Sequence, residues 1–218
     1  MDNAVALVRA YLHVNGYFTV CEYPVLEASR HGGYRAVTDL DVLAFRFPNA
    51  GRLVAGLPET APASFQPDPR LDVPADVPDM LIGEVKEGRA RLNEATTDPA
   101  VLETALVRFG CCAPEEAPAL VRRVRRDGTA TGPHGHRVRL LVFASRPEAV
   151  PQAGVRVLPL GHVIHFLQAY LDQYWDVLHH AQFKDPAFGF LVTLQKALRH
   201  PQTPTENTNA SNAHENQP

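Results

Sequence analysis

An α/β fold with a mixed central sheet and extra C-terminal helices is predicted for this 218-residue chain by three observations. The opening residues carry a helical apolar stripe and lead into three strand-like runs. A helical stretch then separates those runs from a second pair of apolar, β-branched segments. The last ordered third is again helical, and this alternation calls for parallel strands joined by a helical crossover.

The first helix is read from Ala4, Val5, Leu7, Val8, Tyr11, Leu12 and Val14, which share one stripe, with Asn15-Gly16 as its stop. Residues 17–27 and 36–47 are rich in aromatic and β-branched side chains around the polar turn 29–33, and predict a β-hairpin. Residues 48–78 hold seven prolines and predict an extended insertion loop, followed by a short strand over 80–86. Asp98-Pro99 signals a helix start and Gly110 its end, and a second helix is expected over 114–126. Strands are expected over 136–144 and 155–160, a long amphipathic helix through Phe166, Tyr170, Tyr174 and Leu178, and a last helix from Asp185-Pro186 to Leu198. Residues 1–200 thus form one domain, and the polar run 201–218 is a disordered tail.

Composition narrows the function classes. The chain is 45% hydrophobic and 21% charged with net charge −3, so any polyanion must be bound by a local patch. Three cysteines, two of them adjacent at 111 and 112, argue against a disulfide framework and a CxxC metal site. Neither a signal peptide nor a membrane-length apolar run is evident, and the expectation is a cytoplasmic protein with no membrane partner. No GxGxxG, GxxxxGK[ST] or GxSxG motif occurs. The ten histidines lack the cysteine or carboxylate neighbours of a zinc site. The Tyr170, Tyr174 and Trp175 stripe reads as core packing.

Charged residues inside apolar strands carry the functional reading. Glu84 and Lys86 project from one face of a strand whose apolar residues Met80, Leu81, Ile82 and Val85 mark it as largely buried. Asp39 and Asp41 repeat the spacing on the preceding strand. Neighbouring strands would bring these carboxylates and the ammonium together, a grouping that a hard cation relieves of its internal repulsion. Lys86 stands out because the chain has only three lysines among its 21 basic residues.

Asp41 in TDLDVLAF and Glu84-Val85-Lys86 in MLIGEVKEG resemble the motif of the PD-(D/E)XK nuclease superfamily, the restriction-endonuclease-like fold. The resemblance covers element order over about residues 3–145 and implies an αβββαβ core. It implies that Asp41 and Glu84 ligate Mg²⁺ (or Mn²⁺), with the Val85 carbonyl as a third ligand. Lys86 would be the catalytic lysine in hydrolysis of nucleic-acid phosphodiesters, with DNA favoured over RNA as partner and a homodimer compatible with the pattern. Three departures are visible. Leu40 replaces the motif's proline, the proline-rich insertion lengthens the spacing, and residues 3–15 lack the glutamate many members carry on the first helix. Glu22 could stand in for it, and Asp39 is read as a turn-proximal or auxiliary carboxylate.

Nucleic-acid contacts are expected from Arg89 and Arg91 beyond the triplet, read equally well as an exposed loop, and from Arg139 within an apolar strand. The cluster Arg122, Arg123, Arg125 and Arg126 could track a phosphate backbone, although helix-dipole complementation explains it slightly better. The alternative function is a catalytically inactive module of this fold that binds nucleic acid or a protein partner. A third is an enzyme using the same carboxylates on an unrelated substrate.

Overall fold

The computed structural model describes residues 1–29, 32–51, 65–148 and 154–199. Helix α1 (Asn3–Val14) starts at Asp2, whose Oδ1 accepts the Ala4 N–H at 2.7 Å. Its buried stripe includes Val5, Val8, Tyr11 and Leu12. Strands β1 (Phe18–Ala28) and β2 (Tyr34–Arg46) form the antiparallel hairpin, and β3 (Asp79–Arg89) pairs antiparallel with β2. Helices α2 (Pro99–Arg108) and α3 (Ala117–Asp127) then cross to β4 (Thr129–Thr131) and β5 (Arg137–Arg146), and β5 lies parallel to β3. Strand β6 (Arg156–Pro159), α4 (Leu160–Gln173), α5 (Trp175–Leu178) and α6 (Pro186–Arg199) complete the described chain.

The sheet runs β1-β2-β3-β5-β4, and β6 pairs in parallel with β5 beyond the short β4 ladder. The mixed α/β architecture is the expected one. Alternating residues of the central strands feed two cores. Val42, Ala44, Leu81, Val85, Leu141 and Phe143 pack under α1 and α4. Leu43, Met80, Ile82, Val138 and Leu140 pack under α2 and α3.

Three expectations change. The polar segment 129–131 holds the strand β4, which apolar pattern alone does not announce. The described part of the proline-rich loop is docked rather than merely extended, since it carries a 3₁₀ turn (Pro69–Leu71) and a fully buried Leu71. Asp68 anchors it by accepting from the Tyr11 hydroxyl at 2.6 Å and from Arg70 N–H at 2.9 Å. The single long helix expected beyond residue 160 is broken at Tyr174 into α4 and α5. The expected tail 201–218 and residues 52–64 lie outside the described residues.

Candidate active site

The site forms where β2 and β3 part. Their ladder runs from Arg46↔Asp79 to Val42↔Gly83, and Asp41 and Glu84 are the next residues along each strand. Beyond that ladder β2 continues on β1 alone, while β3 continues on β5 through Glu84↔Val142 and Lys86↔Ala144. The divergence opens a fork at the carboxyl end of β3, the end at which parallel strands usually present ligand-binding groups.

Two local features flank the fork. Gly83 is pressed against its neighbours: a Cβ at this position would meet a Leu81 methyl at 3.1 Å and the Phe143 ring at 3.3 Å. A side chain here would make the Leu81 methyl and the Phe143 ring give by a few tenths of an ångström, next to Glu84. On β1, Glu22 has φ of +51°, and the core that is faced changes across it. Cys21 and Val42 pack with the first core, whereas Tyr23 and Leu40 pack with the second. This twist falls opposite Asp41.

Asp41 Oδ2 accepts the Val85 N–H at 2.7 Å, so the carboxylate reaches across the fork to the β3 backbone. A strand residue directs its N–H and C=O toward the same side, so the Val85 carbonyl also faces β2. Glu84 is buried, with its side chain 2% exposed; Oε1 is ion-paired to the Lys86 ammonium and Oε2 accepts from the Thr96 hydroxyl. Lys86 is less enclosed, at 25% exposed. Burial, above all, raises the Asp41 pKa, and the Glu84 and Asp2 charges add to it, against the Val85 hydrogen bond and Lys86. Two carboxylates and one ammonium leave this cluster net negative.

The other expected residues divide. Asp39 is exposed farther along β2 and makes no side-chain hydrogen bond among the described residues. Glu22 is drawn to the chain start, where Oε1 accepts the Asp2 N–H at 2.8 Å and Oε2 pairs with the Met1 ammonium at 3.2 Å. Arg89 is exposed and pairs with Glu148 at 3.2 Å, and Arg91 is exposed. Arg139 is a correction. It is 3% exposed, and its guanidinium is taken up by Asp79 (2.7 Å), the Leu71 carbonyl (2.6 Å) and the Tyr17 hydroxyl (3.0 Å). Its charge is neutralised inside the protein, where no phosphate can reach the fork of donors.

Two participants escaped the sequence reading. Thr96 sits in a 3₁₀ turn (Ala95–Thr97) just before the Asp98 cap of α2, and its only advance signal is that cap. Asp2 caps α1 and adds negative charge near Asp41.

Among the described residues no three His, Cys, Asp or Glu side chains converge as a metal site. The donors at hand are two carboxylates, Asp41 and Glu84, with the Val85 carbonyl beside them. Comparison with known protein families, curated proteins and solved structures finds no match to this chain. No helix among the described residues is long and apolar enough to cross a membrane.

Proposed function

We propose that the chain is a metal-dependent nuclease that hydrolyses nucleic-acid phosphodiester bonds at the Asp41, Glu84 and Lys86 cluster. The observation that carries this reading is that the Asp41 carboxylate accepts the Val85 N–H, between Glu84 and Lys86 whose charges act on it, with the Lys86 ammonium on Glu84. The topology supports a restriction-endonuclease-like core: one helix, three antiparallel strands, a helical crossover and a strand parallel to the third.

The donor set fits a hard divalent cation. Mg²⁺ commonly takes one or two carboxylates and completes its shell with water and substrate oxygens; burial above all raises the Asp41 pKa, and the Glu84 charge that adds to it is one a cation would offset. Asp41, Glu84 and the Val85 carbonyl would hold it. Bound Mg²⁺ supplies a more acidic water and neutralises charge on a phosphoryl oxygen.

The protein's own groups divide the remaining work. The Val85 N–H fixes the Asp41 carboxylate, and Thr96 fixes Glu84. Glu84 in turn positions Lys86. Lys86 orients the attacking water and places a positive charge where the phosphorane develops negative charge.

Cleavage of single-stranded, duplex and branched DNA and of RNA, with Mg²⁺ or Mn²⁺, tests the reading. Lys86→Ala should lower the rate by about a hundredfold or more while the protein stays folded by circular dichroism. A wild-type protein that cuts none of these substrates would overturn the catalytic claim. Nucleic-acid binding without metal binding would select the inactive-module alternative.

A further inference from the structure

Glu84 is the most enclosed charge of the fork, and both of its oxygens already have partners: Oε1 the Lys86 ammonium and Oε2 the Thr96 hydroxyl. A carboxylate so far from water needs a cation beside it. Lys86 is that cation, and Glu84 makes no other ion pair among the described residues. Asp41 is provided for differently. Its Oδ2 accepts the Val85 N–H at 2.7 Å, and it makes no ion pair among the described residues. The Glu84 and Lys86 charges act on it from nearby, and Asp2 acts on it more weakly.

The same oxygen is therefore wanted twice. A divalent cation held by Asp41, Glu84 and the Val85 carbonyl would share Glu84 with an ammonium of its own sign, and like charges at such range repel strongly in a partly buried site. Lys86 is the member of the pair that solvent reaches, at 25% exposed against 2% for Glu84. Its flexible four-carbon stem can carry the ammonium off Glu84 while the strand stays in place.

Charge balance says what would draw it off. With both carboxylates ionised, Asp41, Glu84 and Lys86 together carry one net negative charge. A divalent cation turns that into one net positive charge, and the single negative charge of a phosphodiester cancels it. The cluster is balanced when metal and phosphodiester are both bound, and unbalanced with the metal alone.

We propose that Lys86 is the resident counter-ion of Glu84, competing with the divalent cation for that carboxylate, and that a phosphodiester draws the ammonium to itself, so that metal and substrate load together. This rests on the metal-dependent reading of the fork and specifies how that site is regulated. Linkage makes the coupling reciprocal: the factor by which a phosphodiester tightens metal binding is the factor by which the metal tightens phosphodiester binding.

Calorimetric titration of the full chain with Mn²⁺ tests the competition, alone and with a short duplex DNA whose bridging ester oxygens are replaced by methylene. That DNA keeps its charge and cannot be cut, and the titrations are corrected for the Mn²⁺ it binds by itself. Lys86→Gln keeps a donor for Glu84 without the charge, and should bind Mn²⁺ at least about tenfold more tightly than the wild type, whereas Lys86→Arg should not. The DNA should tighten Mn²⁺ binding by the wild type about tenfold more than binding by Lys86→Gln. Mn²⁺ should also raise the melting temperature of Lys86→Gln more than that of the wild type, because it supplies the cation that Glu84 has lost; this readout serves even if the variant is partly unfolded. Equal or weaker Mn²⁺ binding by Lys86→Gln, or an equal effect of the DNA on the two chains, overturns the proposal. Loss of Mn²⁺ binding in Asp41→Asn would then leave the fork reading standing, whereas no Mn²⁺ binding by the wild type overturns both.

Discussion

Strand β3 passes through two buried charge clusters that differ in how completely they are compensated. At its start, Asp79 is fully buried and accepts from the Tyr17 hydroxyl and from Arg137 and Arg139, both at 2.7 Å. Arg139 is closed off in return by Leu71 and Tyr17. Toward its end, Glu84 and Asp41 share one lysine, and Asp41 is pushed above its ordinary pKa. The first cluster ties the loop after residue 65 to the sheet and has no capacity left for a ligand. The second retains net negative charge at an opening in the sheet. Sequence shows both as charges among apolar residues, and only the balance of partners separates scaffold from candidate site.

The largest effect should come from the compensated cluster. Asp79→Leu strands the Arg139 guanidinium in the interior, because Asp79 is its only carboxylate partner among the described residues, and should cost about 3–5 kcal/mol in urea denaturation. A cost below about 1 kcal/mol, in the range of exposed pairs, would remove the contrast between the two regions.

A smaller effect is expected at Thr96. Thr96→Val removes the hydroxyl that Glu84 accepts from and should destabilise the fold by about 1–3 kcal/mol. It should also slow cleavage while leaving the affinity for the nucleic acid nearly constant, a split between kcat and KM that plain destabilisation would not produce. Unchanged stability would mean that Thr96 does not hold Glu84.

The smallest effect has the opposite sign. A carboxyl with a higher pKa in the folded than in the unfolded state favours folding while protonated, and loses that contribution as pH rises through the folded pKa. Burial sets this direction for Asp41. Asp41→Asn keeps an acceptor for the Val85 N–H, so it should match wild-type thermal stability in acid and exceed it near neutrality. Added Mg²⁺ should narrow that gap by stabilising the wild type alone. A variant less stable than wild type at neutral pH would contradict the strain assigned to the fork.

Much of the scaffold was legible because its elements carry local signals. The α1 stripe, the Asp98-Pro99 start of α2 and the apolar runs of β3 and β5 each follow from periodicity or capping. Strand β4 was not, because Thr129, Ala130 and Thr131 are held by their pairing to β5 and carry no hydrophobic pattern. The same holds for Leu71, whose burial depends on contacts distant in sequence. At the candidate site, period-two spacing placed Glu84 and Lys86 on one face, and hairpin order placed Asp41 nearby. The fate of Arg139 was hidden, because its neutralising partners come from β1, β3 and the docked loop. Glu22 carries a positive φ that nothing in its sequence announces.

Calorimetric titration with Mg²⁺ or Mn²⁺ tests the central claim most directly, because it reports on the two carboxylates without requiring a substrate. One divalent ion should bind the wild-type chain, Asp41→Asn and Glu84→Gln should each abolish that binding, and Lys86→Ala should retain it. No binding by the wild type, or binding indifferent to both carboxylate substitutions, would contradict the assignment of the fork as a metal-dependent active site.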